Sequence, residues 1–151
     1  WAPTTQPLAF DLKDYLFMAL ILKEQDFRES MKTHDWSQYK DKVLCVFCST
    51  DAIIPSWGYM LVATMAAPYA KEVFFGTPDQ WISRQLLQYV NQLDLTPYTD
   101  QRVIIKGCSD HVAIGPEIYV ALTSRLVPVV KSLMFGEPCS TVPVFKRPKG
   151  A

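Results

Sequence analysis

An offset of sixty residues constrains this chain more than any other feature. At that spacing Val43 matches Val103, Cys48 matches Cys108, Ser49 matches Ser109, Ile54 matches Ile114 and Tyr59 matches Tyr119. The series continues without a gap through Pro68 with Pro128, Lys71 with Lys131, Phe75 with Phe135, Gly76 with Gly136 and Pro78 with Pro138. Self-similarity at one fixed period marks a repeated supersecondary unit, and two copies are too few for a solenoid.

Each copy reads as strand, helix, strand. Lys42 to Phe47 is a short continuous apolar run, the pattern of a strand buried on both faces. Ser49, Thr50 and Asp51 with Pro55 then supply helix-start chemistry. A helix with Trp57, Met60, Leu61 and Thr64 or Met65 on its apolar face follows, and Pro68 ends it. Val73 to Phe75 is the return strand, after which Asp79 opens a helix carrying Ile82, Leu86, Tyr89, Val90 and Leu93. The second copy runs from Val103-Ile104-Ile105 through a helix with Ile118, Leu122 and Leu126 to Leu133-Met134-Phe135. The expected fold is α/β: a mainly parallel sheet with helices on both faces, because each crossover is right-handed, built from two pseudo-symmetric βαβ units at 42–78 and 102–138. One domain spans 1–151, with 1–9 as an extended arm. Between them Asp11 reads as a cap and 23–32 as helical, while periodicity does not decide between strand and buried helix for Leu16 to Leu22.

Fifteen basic residues balance fifteen acidic ones, so the electrostatic footprint of a nucleic-acid or anionic-membrane binder is missing. The basic tail Lys146-Arg147 with Lys149 reads as a solvated terminus. No apolar run approaches the ~20 residues of a membrane span, and no charged leader with a cleavage site is seen. Four cysteines in a chain long enough for its own core read as reduced thiols, which points to the cytoplasm.

Three of those cysteines share a context. Cys48, Cys108 and Cys139 each follow an apolar run and precede Ser and then Thr or Asp. Parallel strands would bring their C-terminal ends to one edge of a sheet. The position sixty residues before Cys139 is Asp79, so the expected metal site is Cys48, Cys108 and Cys139 with Asp79. Three thiolates and one further ligand suit tetrahedral zinc or an iron-sulphur cluster with one oxygen-ligated iron, and helix N-termini favour the thiolate form. Asp51, Asp110 and His111 compete for the fourth position. The plain alternative is that each cysteine is a small buried hydrophobe and Asp79 an ordinary helix cap.

Other chemistry is sparsely represented. Cys45 and Cys48 spell C-x-x-C, but Cys45 lies within a strand and reads as core. There is no G-x-G-x-x-G and no Walker lysine. A catalytic thiol would need His111 or His34 beside it, and neighbours three apart in a turn seldom align.

The stretches Ile21-Leu-Lys-Glu24, Asp26-Phe-Arg-Glu29, His34-Asp-Trp-Ser-Gln-Tyr39, Ile105-Lys-Gly-Cys-Ser109 and the tail from Gly136 to Arg147 resemble a bacterial family catalogued as a domain of unknown function, number 2480. The resemblance runs from about Phe10 to Lys149. It carries no catalytic residue over. It implies a genomic neighbourhood shared with sulphur-mobilising iron-sulphur assembly genes, and extra residues ahead of Trp1. The leading expectation is therefore a cytoplasmic protein holding zinc or an iron-sulphur cluster on three thiols, an accessory factor with iron-sulphur assembly proteins as partners. The alternatives are a non-catalytic interaction scaffold whose crevice binds a partner protein or a small anion, and a thiol-dependent enzyme. The pseudo-twofold crevice is equally open to completion by a second subunit, as in a homo-oligomer.

Overall fold

The computed structural model describes residues 3–107, 114–137 and 139–150. The chain divides into two compact units, 1–82 and 83–151, each with one three-stranded sheet. The α/β class holds, but the strands form two sheets and not one, the first parallel and the second mixed.

In the first unit β1 (Pro7–Asp11), β2 (Val43–Phe47) and β3 (Glu72–Phe75) lie parallel in that order. The arm expected over 1–9 therefore ends in a strand. Its lone buried residue, Phe10, gives an apolar run too short to stand out. β2 is central and buried on both faces, as its unbroken Val-Leu-Cys-Val-Phe demands. Leu44 and Val46 meet α1 (Glu24–Thr33) through Phe27 and Met31, and α2 (Ser56–Ala66) through Val62 and Ala66. Val43 and Cys45 face the other way, under Trp81 and Ile82 at the start of α3 (Pro78–Gln92). Cys45 is fully buried. Burial, with a smaller effect from nearby Glu72, pushes its thiol up to about 11.

α1 is a two-residue stripe, Phe27 and Met31 one turn apart, with Glu24 and Asp26 in its first turn and Lys32 in its last, the charge order its dipole favours. α2 is turned relative to expectation. Its buried line is Gly58, Val62 and Ala66, flanked by half-buried Trp57, Leu61 and Met65, while Met60 is exposed. A helix apolar on every side offers no period to read, and its small residues let it approach closely. A Cβ at Gly58 would stand 2.8 Å from Leu22 Cδ2.

α3 begins in the first unit and ends in the second. Thr77 and Gln80 close its start reciprocally: the Gln80 carboxamide oxygen accepts the Thr77 N–H at 2.8 Å and the Thr77 hydroxyl accepts the Gln80 N–H at 3.3 Å. That is a capping box, and the cap is Thr77, not Asp79.

In the second unit β4 (Arg102–Ile105) runs parallel to β5 (Ser132–Glu137), which pairs antiparallel with β6 (Ser140–Lys146). Leu133 packs with Val103, Ile105 and Phe145 and, from α4 (Pro116–Leu126), Leu122 and Leu126. The Arg125 guanidinium donates to the carbonyls of Val90 and Leu93 at the end of α3. β6 was not expected from sequence, because Pro143 interrupts it. An edge strand with a register shift tolerates proline.

The units share local geometry. α2 and α4 each span eleven residues at the sixty-residue offset. Gly76 and Gly136 both have positive φ, 140° and 122°. Tyr59 meets Phe75 edge-on with centroids 5.1 Å apart, and Tyr119 meets Phe135 likewise at 5.5 Å. The strand register differs from the sequence match by one residue: Val43 pairs with Glu72, but it is Arg102 that pairs with Ser132.

No helix among the described residues is long and apolar enough to cross a membrane.

Candidate functional site

Side chains with chemistry gather where β1 and β2 end. Asp11, the last residue of β1, accepts the Lys13 N–H at 3.0 Å, capping a short 3-10 turn, and the Ser49 N–H at 3.1 Å. One carboxylate thus ties the end of β1 to the loop after β2. Partial burial pushes its carboxyl up, but the hydrogen bonds from the Ser49 side chain and from the Lys13 and Ser49 N–H groups, with the Lys13 charge, outweigh this and hold it below 3.8.

Cys48 is half-buried beside the Asp11–Ser49 tie, with Thr50 Oγ1 3.3 Å from its sulphur. Tyr59, on the first turn of α2, belongs to the same neighbourhood. Burial first, then the nearby Cys48 and Asp11, raise its phenol above the ordinary value of 10.0. Neither Asp11 as a tie across strands nor Tyr59 as a neighbour of the thiol was singled out from sequence. The tie spans thirty-eight residues, which no local pattern encodes.

Two loops rise from this edge. The first, after β1, makes a tight turn in which Leu20 N–H donates to Phe17 C=O at 3.1 Å and Phe17 N–H to Ile21 C=O at 2.7 Å. Its central residues, Met18 and Ala19, have φ of 51° and 59°, a conformation normally supplied by Asn and Gly. Leu16 to Leu22 is thus neither the strand nor the helix that sequence left open. The second loop, after β2, carries Ile53. Leu20, Ile21, Leu22, Ala52, Ile53 and Pro55, with Asp51 among them, line one shallow depression between the loops. Met18 is 77% exposed and Ile53 91% exposed.

The expected metal residues are placed as follows. Cys48 and Asp79 follow the C-terminal ends of neighbouring parallel strands, and Asp79 is an exposed first-turn acid of α3. Cys139 is exposed at the turn between β5 and β6 in the second unit. The Ser140-Thr141 that follows starts a strand and caps no helix. The local settings of Asp79 and Cys139 therefore differ, since one chain segment enters a helix and the other a hairpin. Cys108, Asp110 and His111 lie outside the described residues. Asp51 is exposed in the second loop. His34 is half-buried, with Nε2 2.7 Å from the Tyr39 hydroxyl. Among the described residues no three His, Cys, Asp or Glu side chains gather as a metal-ligand group. The described residues thus supply no set that fits zinc or a cluster.

The family profile described as protein of unknown function, DUF2480, matches residues 1–147. The chain belongs to this family. No curated protein and no solved structure matches this DUF2480 chain.

Proposed function

We propose that this DUF2480 chain is a non-catalytic interaction scaffold that docks a partner protein on the two loops above the first sheet. The observation that carries the reading is the shared depression of Leu20, Ile21 and Ile53, apolar side chains that stay largely in water at the strand ends. The turn at Met18 and Ala19 supports it. Two non-glycine residues at positive φ cost about 1–2 kcal/mol each, and such strain collects where a loop serves a purpose other than stability. Iron-sulphur assembly proteins are the partner class that the family resemblance implies. The test is titration calorimetry of the full chain against the purified sulphur-mobilising assembly proteins. Ile53→Asp and Leu20→Asp should weaken binding by about tenfold or more with an unchanged unfolding temperature. Absence of binding, or binding indifferent to both changes, overturns the reading.

Zinc or an iron-sulphur cluster on Cys48, Cys108 and Cys139 with Asp79 is the competing proposal. It requires metal, or iron with sulphide, near one equivalent in anaerobically purified chain, lost in Cys48→Ser. The scaffold reading expects neither.

We also infer that the two units descend from one duplicated βαβ unit. The equal lengths of α2 and α4, the paired glycines and the two edge-on Tyr–Phe contacts support this.

A further inference from the structure

The second sheet carries a feature that the docking loops do not use. At the first residue pair of β4 and β5, Arg102 stands opposite Ser132, and Ser132 opposite Lys146 on β6, so the three form one row across the sheet. Paired residues project from the same face. The row opens into a cleft of about 760 Å³, and Lys131, Arg147 and Lys149 join it at the rim. Met134 and Pro143 give it an apolar floor.

Two independent observations mark it as a ligand site. The first is charge. Five of the chain's fifteen cations line the cleft against a single carboxylate, Asp100, which Arg147 already engages. Arg102, Lys131, Lys146 and Lys149 have no carboxylate partner among the described residues. A chain with no net charge has concentrated positive potential in one concavity. The second is Ser132. It is 7% exposed, and its hydroxyl has no hydrogen-bond partner among the described residues. A buried polar group left unpaired is destabilising, and a bound acceptor would relieve it.

The first unit shows what the same position does when it is closed. There Glu72 holds the register place of Ser132 and accepts the Trp81 indole N–H at 3.1 Å, with Val43 and Cys45 buried beneath the ring. In the second unit Arg102 takes the place of Val43, and Ile104, in the place of Cys45, is 40% exposed.

We propose that this cleft binds a small organic phosphate, its anionic group held by Arg102, Ser132 and Lys146 and its apolar body resting on Met134 and Pro143. The size is that of small-molecule pockets, about 300–1,000 Å³. A nucleic acid would call for a basic surface extending well beyond one cleft, and the balanced charge of the chain does not offer it.

The test is titration calorimetry of the full chain with adenosine monophosphate, inorganic phosphate and a single-stranded oligonucleotide. Adenosine monophosphate should bind in the micromolar to low millimolar range, about tenfold tighter than inorganic phosphate. Arg102→Gln and Lys146→Gln, both at exposed positions, should each weaken it by about tenfold. Ser132→Ala should weaken it while leaving the unfolding temperature of the free chain equal or higher, since the change deletes an unpaired group. No binding of the nucleotide overturns the proposal. So do equal affinities for nucleotide and inorganic phosphate, tighter binding of the oligonucleotide than of the nucleotide, or insensitivity to both cation changes. The outcome is independent of partner docking, which involves other residues in the other unit.

Discussion

Asp11 and Ser49 are joined by a 3.1 Å hydrogen bond that fastens the end of β1 to the loop after β2, one residue beyond Cys48. Because the same carboxylate caps a 3-10 turn through Lys13, both loops at this edge start from this one side chain. Asp11→Ala should therefore cost about 1 kcal/mol, in the range of a lost cap. The pH dependence has a definite sign. The folded carboxyl titrates below its ordinary 3.8, so its contribution is fully present above that value and disappears as pH falls through the depressed folded value. Thermal unfolding of wild type and Asp11→Asn should differ at neutral pH and converge in strong acid. A difference that grows on acidification would contradict the assignment.

The turn at Met18 and Ala19 separates stability from function. Replacing the pair by Asn-Gly supplies residues suited to positive φ and should raise stability by about 1 kcal/mol or more. Chemical denaturation measures it. A loss of stability would mean that the Met18 side chain is held by contacts despite its exposure.

Gly58 lets the first loop close on α2. Gly58→Leu places a side chain where Leu22 Cδ2 now lies and should destabilise by about 1–3 kcal/mol. Limited proteolysis should then cut near Leu22 faster than in wild type. Unchanged cutting would show that the loop is anchored elsewhere.

The described thiols should differ sharply in reactivity. Cys139 is exposed and should alkylate readily at pH 8, whereas Cys45, buried beneath Trp81 with its thiol near 11, should react only on unfolding. Mass spectrometry of alkylated peptides reads this directly. Trp81→Ala should uncover Cys45 and cost about 3–5 kcal/mol.

Much of the framework was legible because it is written in period and punctuation. β2 is an unbroken apolar run, and α4 carries Ile118, Leu122 and Leu126 at helical spacing, so both fell where the pattern placed them. The buried face of α2 was not legible, because Gly58 and Ala66 are buried by closeness while Met60 is left outside. β1 and β6 were missed since pairing with a neighbour, and not their own composition, makes them strands. The gapless sixty-residue offset did not foretell the strand register, which slips by one residue: Val43 pairs with Glu72, and Arg102, not Val103, pairs with Ser132. The Tyr119 hydroxyl donates to Gly107 C=O at 3.2 Å, while Tyr59 lies near Cys48. The loop after β1 was invisible for a further reason: Met18 and Ala19 form a turn with none of the residues that announce one.

Hydrogen-deuterium exchange of the full chain, alone and saturated with a bound iron-sulphur assembly protein, tests the scaffold reading most directly. Protection should appear in 16–23 and 48–55, the loops that carry Met18, Leu20, Ile21 and Ile53, and be lost in Ile53→Asp. Protection confined to other segments, with these two loops exchanging as freely in the complex as in the free chain, would contradict it.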